Sequence, residues 1–275
     1  MFSLTALVLA ACGSDQGSGD DIELVYVAWD SEIASTNVIS QVLEEAGYEV
    51  TMTQVEQGPM WSSVATGDAD GFVAAWLPND MASSYEEYGD EMVELGANLE
   101  GAITGLAVPT YMEDVNSIED LTPEHIDSIT GIDGGAGVMM ATEQVISDYE
   151  LDIELTASSD AIMTAALGDS YENQEPIVVT AWQPHWMFNT YDLKFLDDPK
   201  GVYESEGEIR TMVREGLEED KPGAYQILSN FYWEPDDMNE IMLEISQDGV
   251  APEEAAANWI ESNRDKVDEW LEGAE

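Results

Sequence analysis

The stretch TAWQPHW (residues 180–186) places two tryptophans directly after a short apolar segment. That segment, residues 176–179, is β-branched and opened by a proline, which predicts a buried strand. Trp182 and Trp186 are therefore expected at or just past the carboxyl end of a strand. Open α/β sheets bind their ligands at this edge.

Two other segments repeat the arrangement: LVYVAWD (24–30) puts Trp29 after an apolar strand, and FVAAWLP (72–78) does the same with Trp76. An indole face attracts a cation by roughly 0.5–2 kcal/mol, and several rings can enclose a quaternary ammonium group. The three strand ends therefore fit an aromatic cage. A buried tryptophan is also an ordinary core residue whose N–H finds a partner, so both interpretations stay open on this pattern alone.

The charge of the chain is extreme for its 275 residues: seven Lys and Arg against 59 Asp and Glu give a formal net charge of −52. Self-repulsion of this size destabilises a compact chain in dilute buffer. Salt relieves it, because the screening length shrinks from about 10 Å at 0.1 M to about 3 Å at 1 M. We therefore expect a protein that works in concentrated salt. An acidic disordered tail or a cation store fits less well, since the acids are spread over the whole chain, and the lack of a basic patch excludes nucleic acid as a partner.

The first twelve residues, MFSLTALVLAAC, are a short apolar run that ends in small residues before Cys12, the only cysteine. The pattern is typical of a bacterial lipoprotein processing site, with Cys12 as the lipidated residue and the membrane as the anchor. The alternative is an incidental thiol. The run lacks the Lys or Arg that normally opens such a signal, which suggests a start further upstream. GSDQGSGDD (13–21) is expected to be a flexible tether.

From residue 22 the pattern alternates between strand and helix. It predicts strands at 23–28, 48–55 and 71–76 with helices at 31–46 and 60–66, a parallel β-α-β-α-β series. Apolar or strand segments follow at 105–109, 151–156 and 193–196, a helix at 123–128 holds His125, and residues 205–273 are expected to be all helix, at 209–217, 222–231, 237–247 and 252–271. The fold class is therefore α/β, two lobes with a helical appendix. Trp233, Trp259 and Trp270 fall in or near these tail helices and are assigned to the hydrophobic core.

The glycine-rich turn GIDGGAGVM (131–139) precedes a predicted helix at 141–149. Unpaired N–H groups at a helix N-terminus suit a carboxylate or phosphate, although a plain tight turn explains the glycines equally well. The turn is neither a Walker A loop nor GxGxxG. Two histidines and one cysteine leave no zinc-type cluster, which favours a receptor over a catalyst. His185 either orients a ligand or fills the strand end.

Eight segments closely resemble the glycine-betaine-binding lipoproteins of osmoregulatory ABC importers. They are YVAWDSEIASTNVI (26–39), VEQGPMWSSVATGDAD (55–70), AWLPN (75–79), NSIEDL (116–121), GIDGGAGVM (131–139), SSDAIMTAAL (158–167), TAWQPHWMF (180–188) and LKFLDDPKGVY (193–203). The resemblance covers essentially everything after the tether. It implies a type II periplasmic-binding-protein fold, with residues 22–108 plus about 200–275 as one lobe and 109–199 as the other.

The resemblance also implies the site. Trp29, Trp76 and Trp182 match the cage that encloses the trimethylammonium group, and Gly137 and Val138 match the backbone N–H groups that hold the ligand carboxylate. Relatives carry a carboxylate-binding histidine five residues after the tryptophan of AWLP. Here that position is Met81, and the neighbouring Asp80 would repel a carboxylate if it faced inward.

The resulting hypothesis is an exported, lipid-tethered receptor that delivers glycine betaine to a membrane permease driven by an ATPase subunit, with no cofactor or metal. A receptor for choline, proline betaine or a sulfonium osmolyte is the alternative on the same scaffold. An enzyme acting on such compounds is disfavoured by the scarcity of His and Cys. A sensory domain would need a signalling partner in place of the permease.

Overall fold

A computed structural model describes residues 20–78, 80–203 and 206–274. Its strands are β1 (Asp21–Tyr26), β2 (Glu49–Gln54), β3 (Gly71–Leu77), β4 (Met92–Pro109), β5 (Ser128–Thr130), β6 (Glu154–Thr156), β7 (Val178–Gln183), β8 (Leu193–Phe195) and β9 (Gly207–Arg214). Its helices are α1 (Asp30–Glu45), α2 (Gln57–Thr66), α3 (Ala82–Tyr88), α4 (Gly137–Asp148), α5 (Asp160–Asn173), α6 (Met187–Thr190), α7 (Leu217–Asp220), α8 (Pro222–Asn230), α9 (Pro235–Asp248), α10 (Pro252–Ser262) and α11 (Arg264–Trp270).

The strands form one mixed sheet in the order β2-β1-β3-β9-β4-β7-β5-β6, with β8 also paired to β4. The long strand β4 belongs to both halves of this sheet. Up to Ala102 it pairs with β9, and from Ile103 onward it pairs with β7. The sheet therefore divides inside β4 into two lobes, and the predicted α/β fold with two lobes is confirmed.

The first lobe holds the parallel series that the sequence predicts: β1 lies between β2 and β3 and pairs parallel with both. Between β1 and β2 runs α1, whose Val38, Ile39, Val42 and Leu43 are fully buried. These apolar side chains recur at the spacing of one helix face, so the helix forms by packing against the sheet. A second, separate cluster of buried apolar side chains, which includes Leu106, lies in the other lobe.

Most of β4 was not expected from the sequence, which indicated only an apolar segment at 105–109. Glu94 and Glu100 interrupt the apolar pattern, and the pairing of β4 with β9 shifts register three times along its length. Gly96 and Gly101 adopt φ of 99° and 84° next to two of these shifts, a backbone conformation that favours glycine. Bulges thus conceal the period-2 signal by which a strand is recognised.

The predicted helix at 209–217 is wrong, because these residues belong mainly to β9. Ile209, Met212 and Val213 have helical spacing, but all three are buried in a strand that pairs antiparallel with β3 on one side and β4 on the other. A central strand buried on both faces lacks the alternation that would reveal it. The predicted helix at 123–128 is also wrong: His125 lies in an exposed turn before β5.

The remaining tail is helical, as predicted, except that the helix expected at 252–271 breaks at Asn263. Asn263 leaves the helical conformation, with φ of −121° and ψ of 35°, while its backbone N–H and its side chain both donate to the Trp259 carbonyl oxygen (2.9 Å each). The assignment of Trp233, Trp259 and Trp270 to the core is confirmed, since none is more than 3% exposed and their rings pack together.

The partner strand of β4 changes at residues 102–103, which indicates that the chain passes between the lobes earlier than the predicted lobe limit at 108–109. The predicted limits, 22–108 with about 200–275 for one lobe and 109–199 for the other, stay a prediction. The tether and Cys12 lie outside the described residues. Within residues 20–78, 80–203 and 206–274, we find no helix with the length and apolar character needed to cross a membrane.

Candidate functional site

Trp29, Trp76 and Trp182 line a single cavity between the lobes. Each is only 4% exposed, and the rings of Trp29 and Trp182 lie 6.4 Å apart at an angle of 49°. The other lining residues are Asp80, Thr104, Ile132 and Val138. The structure therefore brings the three indoles into one cavity instead of three separate interiors. We call these three residues the tryptophan cage.

Each cage residue is held by a different element. Trp29 is the N-cap residue of α1, shortly after β1, and its carbonyl oxygen accepts the first helical hydrogen bonds. Trp76 is the penultimate residue of β3. Trp182 is the penultimate residue of β7 and pairs with Thr104 of β4, one residue beyond the point where the sheet divides. The first lobe thus supplies two rings and the second lobe one.

Carboxylates bind the N–H edges of two of the rings. Trp76 Nε1 donates to Glu32 Oε1 (2.9 Å), and Trp29 Nε1 donates to Asp133 Oδ2 (3.2 Å) across the cleft. Trp182 Nε1 is buried and has no partner among the described residues. Burial raises the pKa of Glu32 well above its ordinary value, an effect that the Trp76 hydrogen bond opposes and the charge of Asp80 reinforces. The three indole faces make the cavity suited to a cation.

A second cluster joins the lobes beside the cage. The Asp30 backbone N–H donates to Asp160 Oδ2 (3.0 Å), and Trp186 Nε1 donates to Asp30 Oδ2 (2.5 Å). His185 accepts the Met187 N–H at Nδ1 (3.2 Å), so its proton lies on Nε2, which donates to Asp160 Oδ1 (3.2 Å). These bonds connect the start of α1 in one lobe with the start of α5 in the other.

The same cluster has the composition of a metal site, since ligand atoms of Asp30, Asp160 and His185 lie within 4.8 Å of one another. The hydrogen bonds already use Asp160 Oδ1, Oδ2 and the His185 ring nitrogens, so the geometry is explained without an ion. Burial and the neighbouring charge of Asp160 raise the pKa of Asp30, against the hydrogen bond from Trp186. His185 also packs edge-to-face on Trp182, with centroids 4.7 Å apart, and is not among the residues that line the cavity. It is placed to orient the cage ring.

Gly137 and Val138 form the first turn of α4, as the anion-site hypothesis requires. Val138 lines the cage cavity, while Gly137 lines a neighbouring cavity. A Cβ built on Gly137 would lie 1.6 Å from the Asp80 carbonyl oxygen and 2.8 Å from Asp80 Cγ. The glycine is therefore needed because another chain segment approaches its Cα closely.

Met81 does not line the cavity with the cage. It is fully buried, and its sulfur accepts the indole N–H of Trp61 (3.4 Å). Asp80, the residue before it, faces the cavity instead. The structure thus brings together the three tryptophans and Val138, and places Met81 in the core of the first lobe.

Glu32, Asp133, Thr104 and Ile132 also belong to the site, and sequence reasoning missed them. The sequence holds 59 Asp and Glu, so no composition signal singles out the two that accept indole N–H groups. Glu32 lies three residues after Trp29, in the first turn of α1, and this spacing was the only available hint.

Two lobes that share a sheet and enclose an aromatic cavity are the architecture of the two-lobed substrate-binding proteins. The model of the family described as the substrate binding domain of ABC-type glycine betaine transport system matches residues 20–262. The chain belongs to this family.

Relatives agree with this membership. The glycine betaine/carnitine transport binding protein GbuC of Listeria monocytogenes is 52% identical over 172 residues, which are 62% of this chain and 57% of that protein. Lactococcal OpuAC in its closed form with glycine betaine superposes with a TM-score of 0.88 at 46% identity, covering 92% of this chain and 100% of the other. A choline binding protein in complex with choline superposes with a TM-score of 0.86 at 26% identity, covering 92% of each chain.

Proposed function

We propose that this protein captures glycine betaine, or a close quaternary ammonium analogue, outside the cytoplasm and delivers it to the permease and ATPase subunits of an ABC importer. The observation that carries the proposal is the convergence of Trp29, Trp76 and Trp182 on one cavity. A methylated ammonium group has no proton to donate, so ring faces and surrounding carboxylates are what can recognise it. Binding betaine from brine would serve osmoprotection, in agreement with the charge of −52.

Calorimetry of the purified protein with glycine betaine at molar NaCl tests this proposal. Trp182→Ala should weaken binding at least tenfold, because each ring contributes roughly 0.5–2 kcal/mol by cation–π attraction and further apolar contact on top. Tyr232→Ala is the control, since this aromatic is 40% exposed and lies outside the cavity. Unchanged affinity in Trp182→Ala would refute the cage.

Choline is the second candidate ligand, and Asp80 favours it. The acid lines the cavity close to Gly137 and Val138, where a ligand carboxylate would otherwise be expected. A carboxylate in this position attracts choline, which has a net positive charge, and can accept a hydrogen bond from the choline hydroxyl. Competition titrations between betaine and choline separate the two ligands.

The assignment to transport rather than catalysis follows the family, and we expect betaine to be recovered unchanged after incubation with the protein, as read by NMR. The lobe limits and the lipid anchor at Cys12 complete the proposal. Mass spectrometry of the membrane-associated protein should show a lipid-modified Cys12, and an unmodified thiol there would refute the anchor.

A further inference from the structure

Asp80 lies where the cage cavity meets the neighbouring one. It lines both cavities, the neighbouring one together with Thr104, Gly137 and Tyr203. Its Oδ1 atom is buried and has no hydrogen-bond partner among the described residues. A buried acceptor without a donor is costly, so a donor supplied by a ligand would satisfy it.

The Asp80 carboxyl group also lies against the first turn of α4. A Cβ built on Gly137 would collide with the Asp80 carbonyl oxygen and lie 2.8 Å from Asp80 Cγ, which establishes this, and a hydrogen bond from the Val138 N–H lowers the pKa of the carboxyl group. The start of α4 therefore directs the Val138 N–H, which the family resemblance assigns to a ligand carboxylate, toward a side chain of the protein itself.

Resting on the proposed function, we propose that Asp80 ranks the ligands of the cage. When charged, it opposes quaternary ammonium compounds that carry a carboxylate and favours those that end in a hydroxyl, whose O–H it accepts. When protonated, it no longer repels a carboxylate and can donate its own O–H to one. The ratio of the betaine and choline affinities therefore depends on pH, although neither ligand titrates near neutrality.

The titration of Asp80 falls in a useful range. Burial raises its pKa to about 7, against the opposing effect of the Val138 N–H. Two titratable side chains interact electrostatically with it, Glu32 from α1 and Tyr203 from the segment after β8, and the negative charge of either one would push in the same direction as burial. From β4 and α4 the cavities present residues that do not titrate, namely Thr104, Gly137, Val138 and Ala141. The proton is therefore held below about pH 7 and lost above it.

Calorimetry with glycine betaine and with choline at pH 5.5 and pH 8.5, both in molar NaCl, tests the proposal. If betaine requires the protonated acid, its affinity should fall by about thirtyfold between these two pH values, while choline binds equally well or better at pH 8.5. Asp80→Asn should bind betaine at pH 8.5 at least tenfold more tightly than the wild type, with the pH dependence lost. Asp90→Asn, an exposed residue with the same change of charge, should behave as the wild type.

The outcomes separate the two claims. Wild-type betaine affinity that does not change with pH would overturn the role of Asp80 and leave the proposed function intact, and this measurement needs no variant. A pH dependence that survives in Asp80→Asn would assign the effect to another group and equally overturn the inference. Absence of binding by either ligand at both pH values in wild type would instead refute the proposed function.

Discussion

Gly137 shows how closely the lobes approach at one residue. Its Cα faces backbone and side-chain atoms of Asp80, and a Cβ would lie 1.6 Å from the Asp80 carbonyl oxygen. A carbonyl oxygen is fixed by its strand and loop, so it cannot move aside as the end of a flexible side chain could. Replacement of this glycine must therefore push the two lobes apart or displace the start of α4.

We expect Gly137→Ala to weaken betaine binding at least tenfold, because the added Cβ must displace the start of α4 or push the lobes apart beside the cage. Gly135→Ala is a matched control in the same turn, because a Cβ there meets no atom within 4 Å. Calorimetry at molar salt measures both. Equal affinities in the two variants would show that the contact between Gly137 and Asp80 is not required for binding.

At the scale of elements, α1 serves the site more than its sequence suggests. Its N-cap residue is Trp29, its first residue, Asp30, binds the second lobe, and Glu32 accepts the indole N–H of Trp76 from β3. Glu32 is 1% exposed and its second oxygen has no partner among the described residues. The first turn of α1 thus places a buried acid next to the cage, and burial of this acid lowers the stability of the folded protein.

Glu32→Gln should therefore make the folded protein more stable than the wild type, by an amount that grows as pH rises. The pKa of Glu32 is raised in the folded state, so the folded protein binds this proton more tightly than the unfolded chain, and stability declines as pH rises above the ordinary value of 4.5. A buried amide avoids the cost of the charge while its oxygen still accepts the Trp76 N–H.

The difference from wild type should be close to zero at pH 4 and grow to about 1–3 kcal/mol at pH 8, measured by urea denaturation in molar NaCl. Glu44→Gln, an exposed position on the same helix, is the control and should show no such trend. A constant difference across this pH range would show that the charge of Glu32 is not what costs stability.

The elements also show what the sequence could and could not predict. Where one face is apolar and the ends are marked, as in α1 and β1 to β3, residue patterns were sufficient. Where the fold depends on distant pairing, as in β9 between β3 and β4, the helical spacing of Ile209, Met212 and Val213 misled. Tryptophans at strand ends indicated the region of the site but matched Trp186 as well, and only the family resemblance selected Trp29, Trp76 and Trp182, whereas Glu32 could not be selected among so many acids.

At the scale of the whole molecule, the main feature is the excess of acidic over basic residues, 59 against seven. The seven basic residues all make polar contacts, and five of them form the ion pairs Arg210–Glu94, Arg214–Asp70, Lys221–Asp70, Arg264–Glu45 and Lys266–Asp237. Lys194 and Lys200 bond to oxygen atoms of Met112 and Asp148. The seven basic side chains thus already have partners, so the repulsion among most of the acids can be reduced only by cations from the solvent.

The free protein should therefore gain thermal stability from NaCl in a particular way. Screening acts mainly while the Debye length falls from about 30 Å at 0.01 M to about 10 Å at 0.1 M and about 3 Å at 1 M, so the gain should be steep below about 0.5 M and then flatten. Relief of about 3 kcal/mol would raise Tm by about 6–12 °C in a chain of this length. Sucrose at equal osmolality is the control, because an excluded solute stabilises gradually without an early rise. A Tm that stays constant between 0.05 and 0.5 M NaCl, or that follows the sucrose curve, would mean that self-repulsion does not limit this fold and that its acids are tolerated without salt.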